Sequence, residues 1–356
     1  MKVAIIGSAG IPAKYGGFET LTEYLTKYLG DKFDITVYCS SKNTQKKIPS
    51  HNKSKLFYIP LNANGIQSIP YDIISIFHAL LFSDTLLILG VSGCITIPFF
   101  KLFTKKRFLV NIDGLEWKRA KWNKYAKWFL KYSEKIACLH ADEIIADNKV
   151  IQQYVKEEYG KDAHLITYGA DHSFPEKLNQ ETIEQYSFLK ENYAFKVCRI
   201  EPENNIHLIL EAFKDQKNIP LVIIGNWNNS AYGVKLLEKY RNINNIHLIQ
   251  PIYDQKILNQ IRSNCYIYIH GHSAGGTNPS LVEAMYLSLP ILAFGVNYNK
   301  ETTFLQAKYF DTQEELVQLL NSIESSDLEK MAQINSHYSK KYYTWNKISN
   351  DYASLF

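Results

Sequence analysis

The chain has 356 residues, of which 46% are hydrophobic and 21% are charged. This length is sufficient for two domains with complete cores, and the composition excludes a wholly disordered protein. Five cysteines are scattered without CxxC spacing, which argues against a zinc site or a disulfide framework and favours reduced thiols in a cytoplasmic protein. No signal peptide is expected before the first predicted strand.

The net charge is +5, but it is concentrated in one segment. Residues 117–136 carry a local charge of +6, and the rest of the chain sums to −1. This segment is predicted to form a helix with two faces, one of which packs on the N-terminal domain. The packing face comprises Trp122, Tyr125, Ala126, Phe129, Tyr132, Ser133 and Ile136. The other face is a stripe of lysine and tryptophan, namely Trp117, Lys121, Lys124, Trp128, Lys131 and Lys135.

The composition of the 117–135 Lys/Trp stripe is typical of a surface that lies on anionic lipid headgroups. Nucleic acid is the alternative partner, and a solvated basic face is the third interpretation. Because no recognisable nucleic-acid module accompanies the stripe, we expect an anionic membrane surface and no nucleic acid.

Short β-branched segments alternate with helical patterns along the whole chain, which predicts β-α-β units with right-handed crossovers and parallel sheets. Two such series predict an α/β protein of two Rossmann-like domains, residues 1–171 and 172–339, with a helix at 340–356 returning to the first. The apolar segment 73–103 is interrupted by polar residues and glycines, so it is predicted as helix, strand and helix and not as a membrane span. The predicted strands are 2–7, 35–38, 56–60, 85–90, 107–113, 143–147 and 164–169, then 195–200, 220–225, 245–251, 265–271, 290–294 and 308–311.

The stretch HGHSAGGTNPSLVEAM, residues 270–285, is predicted to be a strand end, a glycine pair and a helix start. Asn278 suits the N-cap position, and the proline after it suits the first helical position. Unpaired amides and the positive end of the helix dipole attract phosphate there, while Gly275 and Gly276 leave room for it. Glu283, one turn into the helix, would accept hydrogen bonds from hydroxyl groups. A nucleotide sugar offers both groups; a turn that only caps a buried helix is the alternative.

Two loops of the first series carry further candidates. The loop containing Gly16 and Gly17 opens a helix and suits a phosphate or a sugar, although a structural turn would have the same composition and the pattern is not GxGxxG. Asp113 follows a predicted strand and precedes a glycine. It is predicted to act in catalysis or acceptor binding, with a helix cap as the alternative.

Two loops of the second series complete the set. Arg199 ends a predicted strand, and its guanidinium would neutralise a diphosphate. The alternative is a salt bridge to Glu201 or Glu203. Gly225 ends the next strand, and the base of the ligand is expected near it.

His270 and His272 form a His-X-His pair without a carboxylate or cysteine at ligand spacing, so they are predicted to line a polar cleft and not to bind metal. No Asp-X-Asp pair occurs in the chain. The charge on a departing diphosphate would then be met by Arg199 and by helix N-termini, without a bound divalent ion.

Six features together resemble the retaining family 4 of the GT-B glycosyltransferases. They are GSAGIPAKYGGFETLTEYL, NIDGLEWKRAKW, YGAD, CRIEPENN, HGHSAGGTNPSLVEAM and an aromatic C-terminal helix. More narrowly, they resemble the bacterial rhamnosyltransferases of capsule and O-antigen synthesis. The resemblance runs nearly end to end. It implies two Rossmann-like domains that face each other across a cleft, with the nucleotide sugar on the C-terminal domain, no cofactor and no metal.

The resemblance also implies residue roles. Glu283 matches the second of the family's two motif glutamates and would contact the ribose hydroxyls, while Arg199 would contact the diphosphate. Gly275 stands where the family has the first glutamate, which weakens the expected recognition of donor-sugar hydroxyls. Asn204 stands where a lysine usually assists the arginine, so Thr277 and the loop amides are expected to assist Arg199 instead.

The predicted reaction is transfer of a hexosyl group, L-rhamnose from dTDP-rhamnose, to a lipid-linked saccharide at the inner face of the cytoplasmic membrane. Whether Asp113 accepts a proton, steadies the reacting carbon or positions the acceptor stays open. The alternatives are another UDP- or GDP-sugar, a nucleotide-sugar 2-epimerase on the same fold, and a non-catalytic sugar-nucleotide-binding scaffold. The predicted catalytic residues are Asp113, Arg199 and Glu283. The predicted donor-binding residues are Gly16, Gly17, Arg199, Asn204, Gly225, His272, Gly275, Gly276, Thr277, Asn278 and Glu283.

Overall fold

The computed structural model describes residues 1–13, 16–44, 46–119 and 122–356. The chain divides into two compact units. The first unit comprises Met1–Tyr168 and Trp345–Phe356, and the second comprises Gly169–Thr344. The division after residue 168 lies close to the boundary that the sequence predicted after residue 171.

The first unit is built on an eight-stranded sheet of order β3-β4-β2-β1-β5-β6-β7-β8. Its strands are β1 (Lys2–Ile6), β2 (Asp34–Ser40), β3 (Ser50–His51), β4 (Ser54–Ile59), β5 (Thr85–Leu89), β6 (Arg107–Asn111), β7 (Glu143–Ala146) and β8 (His164–Leu165). Its helices are α1 (Gly17–Leu29), α2 (Ser68–Phe82), α3 (Ile97–Lys101), α4 (Lys124–His140) and α5 (Lys149–Tyr159). The short β3 pairs antiparallel with β4, and the other neighbours are parallel. Strands β1 and β5 are apolar along almost their whole length because helices cover both faces of a parallel sheet.

The second unit is built on a six-stranded parallel sheet of order β11-β10-β9-β12-β13-β14. Its strands are β9 (Ala194–Val197), β10 (Leu221–Ile224), β11 (Ile246–Ile249), β12 (Ile267–His270), β13 (Ile291–Phe294) and β14 (Lys308–Phe310). Its helices are α6 (Gln180–Gln185), α7 (Ile206–Phe213), α8 (Ala231–Tyr240), α9 (Gln255–Ser263), α10 (Pro279–Tyr286), α11 (Asn297–Thr302), α12 (Gln313–Ser322) and α13 (Ser325–Tyr342).

The order of the strands locates the binding edge of each sheet. Counted along the chain, the second sheet has the Rossmann order 3-2-1-4-5-6, and the order reverses between β9 and β12. In the first unit the reversal lies between β1 and β5. Ligands of open α/β sheets bind at the carboxyl ends of strands beside such a reversal, so the loops after β9 and β12 and after β1 and β5 are the candidate sites.

The last helix, α14 (Trp345–Ala353), belongs to the first unit. The indole of Trp345 stacks on the ring of Tyr24 in α1 with 4.5 Å between the ring centroids. The buried Tyr352 hydroxyl accepts a hydrogen bond of 2.8 Å from Asn111 Nδ2. The predicted return of the C-terminal helix to the N-terminal domain is confirmed, as is the α/β class with two parallel sheets.

All thirteen predicted strands overlap observed ones, and only the two-residue β3 was not predicted. The segment 73–103 contains α2, β5 and α3, as predicted. Nevertheless, Gly65–Phe82 is long and apolar enough to cross a membrane by length and composition alone, and 33% of it is buried. All five cysteines are free thiols, and four of them are buried.

The orientation of α4 differs from the prediction. Tyr125 and Tyr132 were expected to pack on the domain, but they are 73% and 43% exposed. The helix instead turns Glu134 inward, where its carboxylate is 1% exposed and accepts hydrogen bonds from the Tyr154 and Tyr159 hydroxyls at 2.6 and 2.7 Å. A buried carboxylate must be satisfied by donors, and this requirement sets the rotation of the helix.

Two residues of the predicted Lys/Trp stripe belong to this buried cluster and not to an outer surface. Trp117 Nε1 donates to Glu134 Oε2 at 3.1 Å, and Lys131 Nζ lies 3.7 Å from Glu134 Oε1. The stripe residue Lys121 lies outside the described residues. The prediction of a continuous outward Lys/Trp stripe is therefore wrong, and the exposed face of α4 is mainly aromatic. It comprises Tyr125, Trp128, Tyr132 and Leu139, beside the exposed Lys124 and Lys135.

Candidate functional site

Helix α10 begins as the sequence predicted. Asn278 is the N-cap, and its Oδ1 accepts from Ser280 N at 3.1 Å and from Ser280 Oγ at 2.8 Å. Pro279 occupies the first turn. Gly275 has φ +104°, a conformation that side chains with a Cβ rarely adopt, so the turn before the helix depends on glycine. Thr277 is buried beneath the turn.

The loops that follow β9 and β12 are bonded together at the strand-order reversal. His272 Nδ1 lies 3.1 Å from Asn204 Oδ1. One residue further on, Ser273 N donates to Glu203 O at 2.8 Å. These contacts hold the loop of Arg199 and the glycine loop as one structure at the edge where the fold binds ligands.

Arg199 is exposed at the tip of the first of these loops. Among the described residues it forms no ion pair, so the alternative salt bridge to Glu201 or Glu203 is not made. Asn204 Nδ2 donates to the backbone oxygen of Arg199 at 2.9 Å and thereby fixes the loop. Asn204 therefore acts on the backbone under Arg199, and the guanidinium remains available for an anion.

The carboxylate of Glu283 is clamped between two basic side chains. Arg262 Nη1 lies 2.6 Å from Oε2, and His172 Nε2 lies 2.9 Å from Oε1. Burial alone would raise the pKa of Glu283, but Arg262 and His172 outweigh it and hold the pKa below its ordinary value. The carboxylate is therefore ionised near neutral pH, as an acceptor for hydroxyl groups must be.

Arg262 is itself fixed by its neighbours. Its side chain is 6% exposed. Nε donates to Asn259 Oδ1 at 2.8 Å, and Nη2 donates to Ser173 Oγ at 2.9 Å. Sequence reasoning missed Arg262 because an arginine in the last turn of a helix is typical of a solvated C-terminus. It also missed His172, which lies in the polar segment assigned to the linker.

Gly225 has a packing role. A Cβ at this position would lie 2.6 Å from the carbonyl oxygen of Cys198 and 2.5 Å from Ile200 Cδ1. The close approach of the loops after β9 and β10 therefore accounts for the glycine. Its predicted contact with the base stays a prediction.

His270 does not line a cleft. It is 1% exposed, and neither ring nitrogen has a hydrogen-bond partner among the described residues. Burial, followed by the charge of Lys196, lowers its pKa well below the usual value, so the ring is neutral. The predicted lining role is wrong for His270. Among the described residues no group of three or more His, Cys, Asp or Glu side chains is placed to hold a metal ion.

In the first unit, a carboxylate lies over the glycine loop. Gly16 is the N-cap of α1 with φ +122°. Glu19 Oε1 accepts from Ala9 N at 2.7 Å, and Glu19 Oε2 would lie 2.0 Å from a Cβ at Gly16. An acidic group at this place favours a ligand hydroxyl over a phosphate beside Gly16 and Gly17. The loop residues Lys14 and Tyr15 lie outside the described residues.

Asp113 lies just beyond β6 in a left-handed conformation with φ +57°. Its Oδ2 is 3.8 Å from Arg119 Nη2, and its side chain is 25% exposed. The following short helix has Leu115 as its N-cap, so Asp113 does not have the capping role that was the alternative. A strained, partly exposed acid at a strand end is typical of a functional position.

Two family models match the chain. Residues 1–171 match a domain of unknown function (DUF1972). Residues 179–341 match the model described as glycosyl transferases group 1. The second match contains Arg199, the glycine loop and Glu283.

Solved structures share the whole architecture at low sequence identity. Sucrose-phosphate synthase from Thermosynechococcus elongatus is 12% identical with a TM-score of 0.81, and the match covers 99% of this chain and 98% of that one. HepE of Anabaena in complex with UDP-glucose is 11% identical with a TM-score of 0.74, covering 100% and 99%. A candidate UDP-N-acetylglucosamine 2-epimerase from Listeria monocytogenes is 15% identical with a TM-score of 0.66, covering 98% and 93%. The chain therefore has the GT-B fold of two parallel-sheet domains and carries a glycosyl transferases group 1 domain in its second unit.

Proposed function

We propose that this chain is a retaining hexosyltransferase whose second unit binds a nucleotide-sugar donor. The observation that carries the proposal is the pair of bonded loops at the strand-order reversal. There, the unpaired guanidinium of Arg199, the amides before α10 and the clamped carboxylate of Glu283 belong to one domain. A diphosphate needs the first two, and a hydroxyl of the donor's pentose needs the third.

The donor that we propose is dTDP-rhamnose. The support is the resemblance of the long motifs to bacterial rhamnosyltransferases, together with Gly275, which offers no side chain to a donor-sugar hydroxyl. A UDP-sugar is the competing donor because HepE, which shares the fold, is solved with UDP-glucose. Glu283 would accept from the 3′-hydroxyl of the deoxyribose of dTDP, or from both ribose hydroxyls of UDP.

In the transfer step, the bond between the sugar carbon and the diphosphate oxygen breaks, and the acceptor oxygen forms the new bond on the same face. Arg199 and the amides at the start of α10 stabilise the charge that develops on the leaving diphosphate. The departing phosphate takes the proton of the acceptor hydroxyl, so the reaction needs no separate base. Asp113 contributes either by steadying the positive charge on the sugar or by positioning the acceptor.

The acceptor that we propose is a lipid-linked saccharide at the inner face of the cytoplasmic membrane, with the protein bound peripherally. The exposed side chains of α4 support this location, because Trp128 and Tyr132 stack outward beside Lys124 and Lys135. Indoles, phenols and lysines on one helix face suit the headgroup region of an anionic bilayer.

A product assay with purified full-length chain tests this proposal. The chain is incubated with dTDP-rhamnose, UDP-glucose or GDP-mannose, each with and without polyprenyl-diphosphate-linked N-acetylglucosamine. We expect nucleoside diphosphate to be released from one donor only when the acceptor is present, and a ligand that binds the folded state should also raise the melting temperature.

Two outcomes would contradict the proposal. Conversion of a UDP-sugar to its 2-epimer without acceptor would make the chain an epimerase. Binding of donors without turnover on any polyprenyl acceptor would make it a binding scaffold.

A further inference from the structure

Helix α2 presents an apolar side to solvent in addition to the side that packs on the sheet. Its buried side combines Ser68, Asp72 and Ser75 with Tyr71, Ile76 and Ala79, and the side that faces solvent is apolar. A surface helix of a globular protein normally presents polar side chains to solvent. The exposed apolar residues on and beside α2 are Ile66 (76%), Ile74 (45%), Phe77 (58%), Leu81 (63%) and Phe82 (59%).

Helix α3 and the turn after it extend this apolar face. Phe99, Leu102 and Phe103 are 61%, 77% and 75% exposed. Phe100 connects the two helices, since its ring centroid lies 6.3 Å from that of Phe77 and 5.6 Å from that of Phe99. The exposed side chains of α2 and α3 therefore form one surface, which we call the α2–α3 face. A contiguous apolar surface of this kind marks an interaction site.

The charge around the α2–α3 face distinguishes between partners. Residues 97–140, which contain α3 and α4, carry eleven basic residues and three acidic ones. A second copy of this chain would bring the same positive charges against this rim, so self-association through the face is disfavoured. An anionic bilayer offers both an apolar interior for the phenylalanines and a negative surface for the lysines.

We propose that the α2–α3 face inserts into the acyl region of an anionic lipid bilayer. This inference extends the membrane association proposed above, but it assigns the insertion to residues outside the 117–135 segment. Binding would then have two parts. The lysines are attracted to the headgroups and are screened by salt, while Phe77, Phe99 and Phe103 supply an apolar contribution that salt does not screen.

Co-sedimentation of the full-length chain with vesicles tests the proposal and needs no donor or acceptor. Vesicles of phosphatidylcholine and phosphatidylglycerol in equal parts should bind the wild type, and vesicles of phosphatidylcholine alone should bind it more weakly. The variant F99S/F103S should lower the partition coefficient by about tenfold for each ring removed. The matched control is Leu305→Asn, which removes an equally exposed apolar side chain from the second unit. It should bind as the wild type does.

Depth of insertion is measured with brominated acyl chains, which quench tryptophan fluorescence on contact. Vesicles with brominated lipid should quench Phe99→Trp more than the wild type, and they should leave Leu305→Trp at the wild-type level. Unchanged melting temperatures would show that the variants are folded.

Three results would overturn the proposal. One is F99S/F103S binding as tightly as the wild type. Another is wild-type binding abolished by salt without quenching of Phe99→Trp. The third is a wild-type dimer in solution that F99S/F103S converts to a monomer. Because these assays contain no sugar nucleotide, their failure leaves the transfer reaction untouched, and failure of the transfer assay leaves them untouched.

Discussion

The two units have the same kind of reversal in strand order, but the loops near the reversal carry a basic side chain in the second unit and acidic side chains in the first. In the second unit the loops at the reversal carry the unpaired Arg199 and the amides that precede α10. In the first unit the corresponding glycine loop lies beneath the carboxylate of Glu19, and Asp113 follows the neighbouring β6. The strand order therefore determines where a ligand binds, while the side chains of the loops determine which chemical groups are bound. An anion suits the second unit, and hydroxyl groups suit the first.

The largest effect is expected from the cation of the second unit. Arg199→Ala should lower kcat/KM by about 10²- to 10³-fold, because it removes a donor from the developing charge on the diphosphate. The exposed position predicts an unchanged melting temperature. Steady-state kinetics of the variant would be compared with Arg241→Ala, which removes another exposed arginine of the same unit and should retain full activity. Equal activity of the two variants would remove the assignment of Arg199.

The clamp on Glu283 predicts a loss of stability as well as of activity. Glu283→Ala leaves the buried Arg262 without its carboxylate and should destabilise the chain by about 3 kcal/mol. Denaturant unfolding measures the change. The double variant E283A/R262L should recover stability but not transfer, and recovery of transfer would show that Glu283 serves only the fold.

Substitution of Asp113 in the first unit should lower the rate of transfer without changing the affinity for the donor. Asp113→Asn keeps the shape and tolerates φ +57°, so the fold should be retained. We expect kcat to fall by about 10²-fold, as for loss of a positioned catalytic group. The donor dissociation constant from calorimetry should be unchanged. Weaker donor binding would place Asp113 in the donor site and would contradict the assignment of donor binding to the second unit.

Gly275 tests whether the glycine loop could carry the acid that the wider family has. Because φ is +104°, Gly275→Glu should cost about 1–3 kcal/mol of stability. It should also weaken donor binding, since a carboxylate would lie beside the diphosphate. Thermal unfolding with and without nucleotide measures both effects, and tighter binding by the variant would contradict the account of this loop.

The smallest effect is a dependence of stability on pH. The folded-state pKa of Glu283 lies below its ordinary value of 4.5, so the stabilisation is complete above pH 4.5 and is lost as the pH falls through the folded pKa. The difference in unfolding free energy between wild type and Glu283→Gln should therefore stay constant from neutral pH down to pH 4.5 and shrink below this value. A difference that instead grows in acid would contradict the ion pair.

Much of the fold followed from local sequence patterns. Continuous apolar runs located the strands, and Asn278 with the proline after it located the start of α10. These features depend on a few neighbouring residues, which is why they could be predicted. The same local reasoning identified Arg199 and Glu283 as site candidates, although it could not show what holds them.

The features that were missed depend on contacts between distant segments. Arg262 and His172 meet Glu283 only in the folded chain. Helix α4 turns about Glu134 because Tyr154 and Tyr159 satisfy its carboxylate, and an apolar periodicity cannot anticipate that. Helix α2 was predicted only as a helix, and its exposed apolar side, which includes Phe77 and Leu81, was not anticipated.

Hydrogen–deuterium exchange of the full-length chain with and without dTDP or UDP tests the central claim most directly. If the loops after β9 and β12 bind the diphosphate, nucleotide should protect the backbone amides of residues 199–205 and 273–281. Arg199→Ala should lose that protection, and residues 7–17 of the first unit should be unaffected. Protection confined to the first unit, or nucleotide binding with no protection of residues 273–281, would contradict the account.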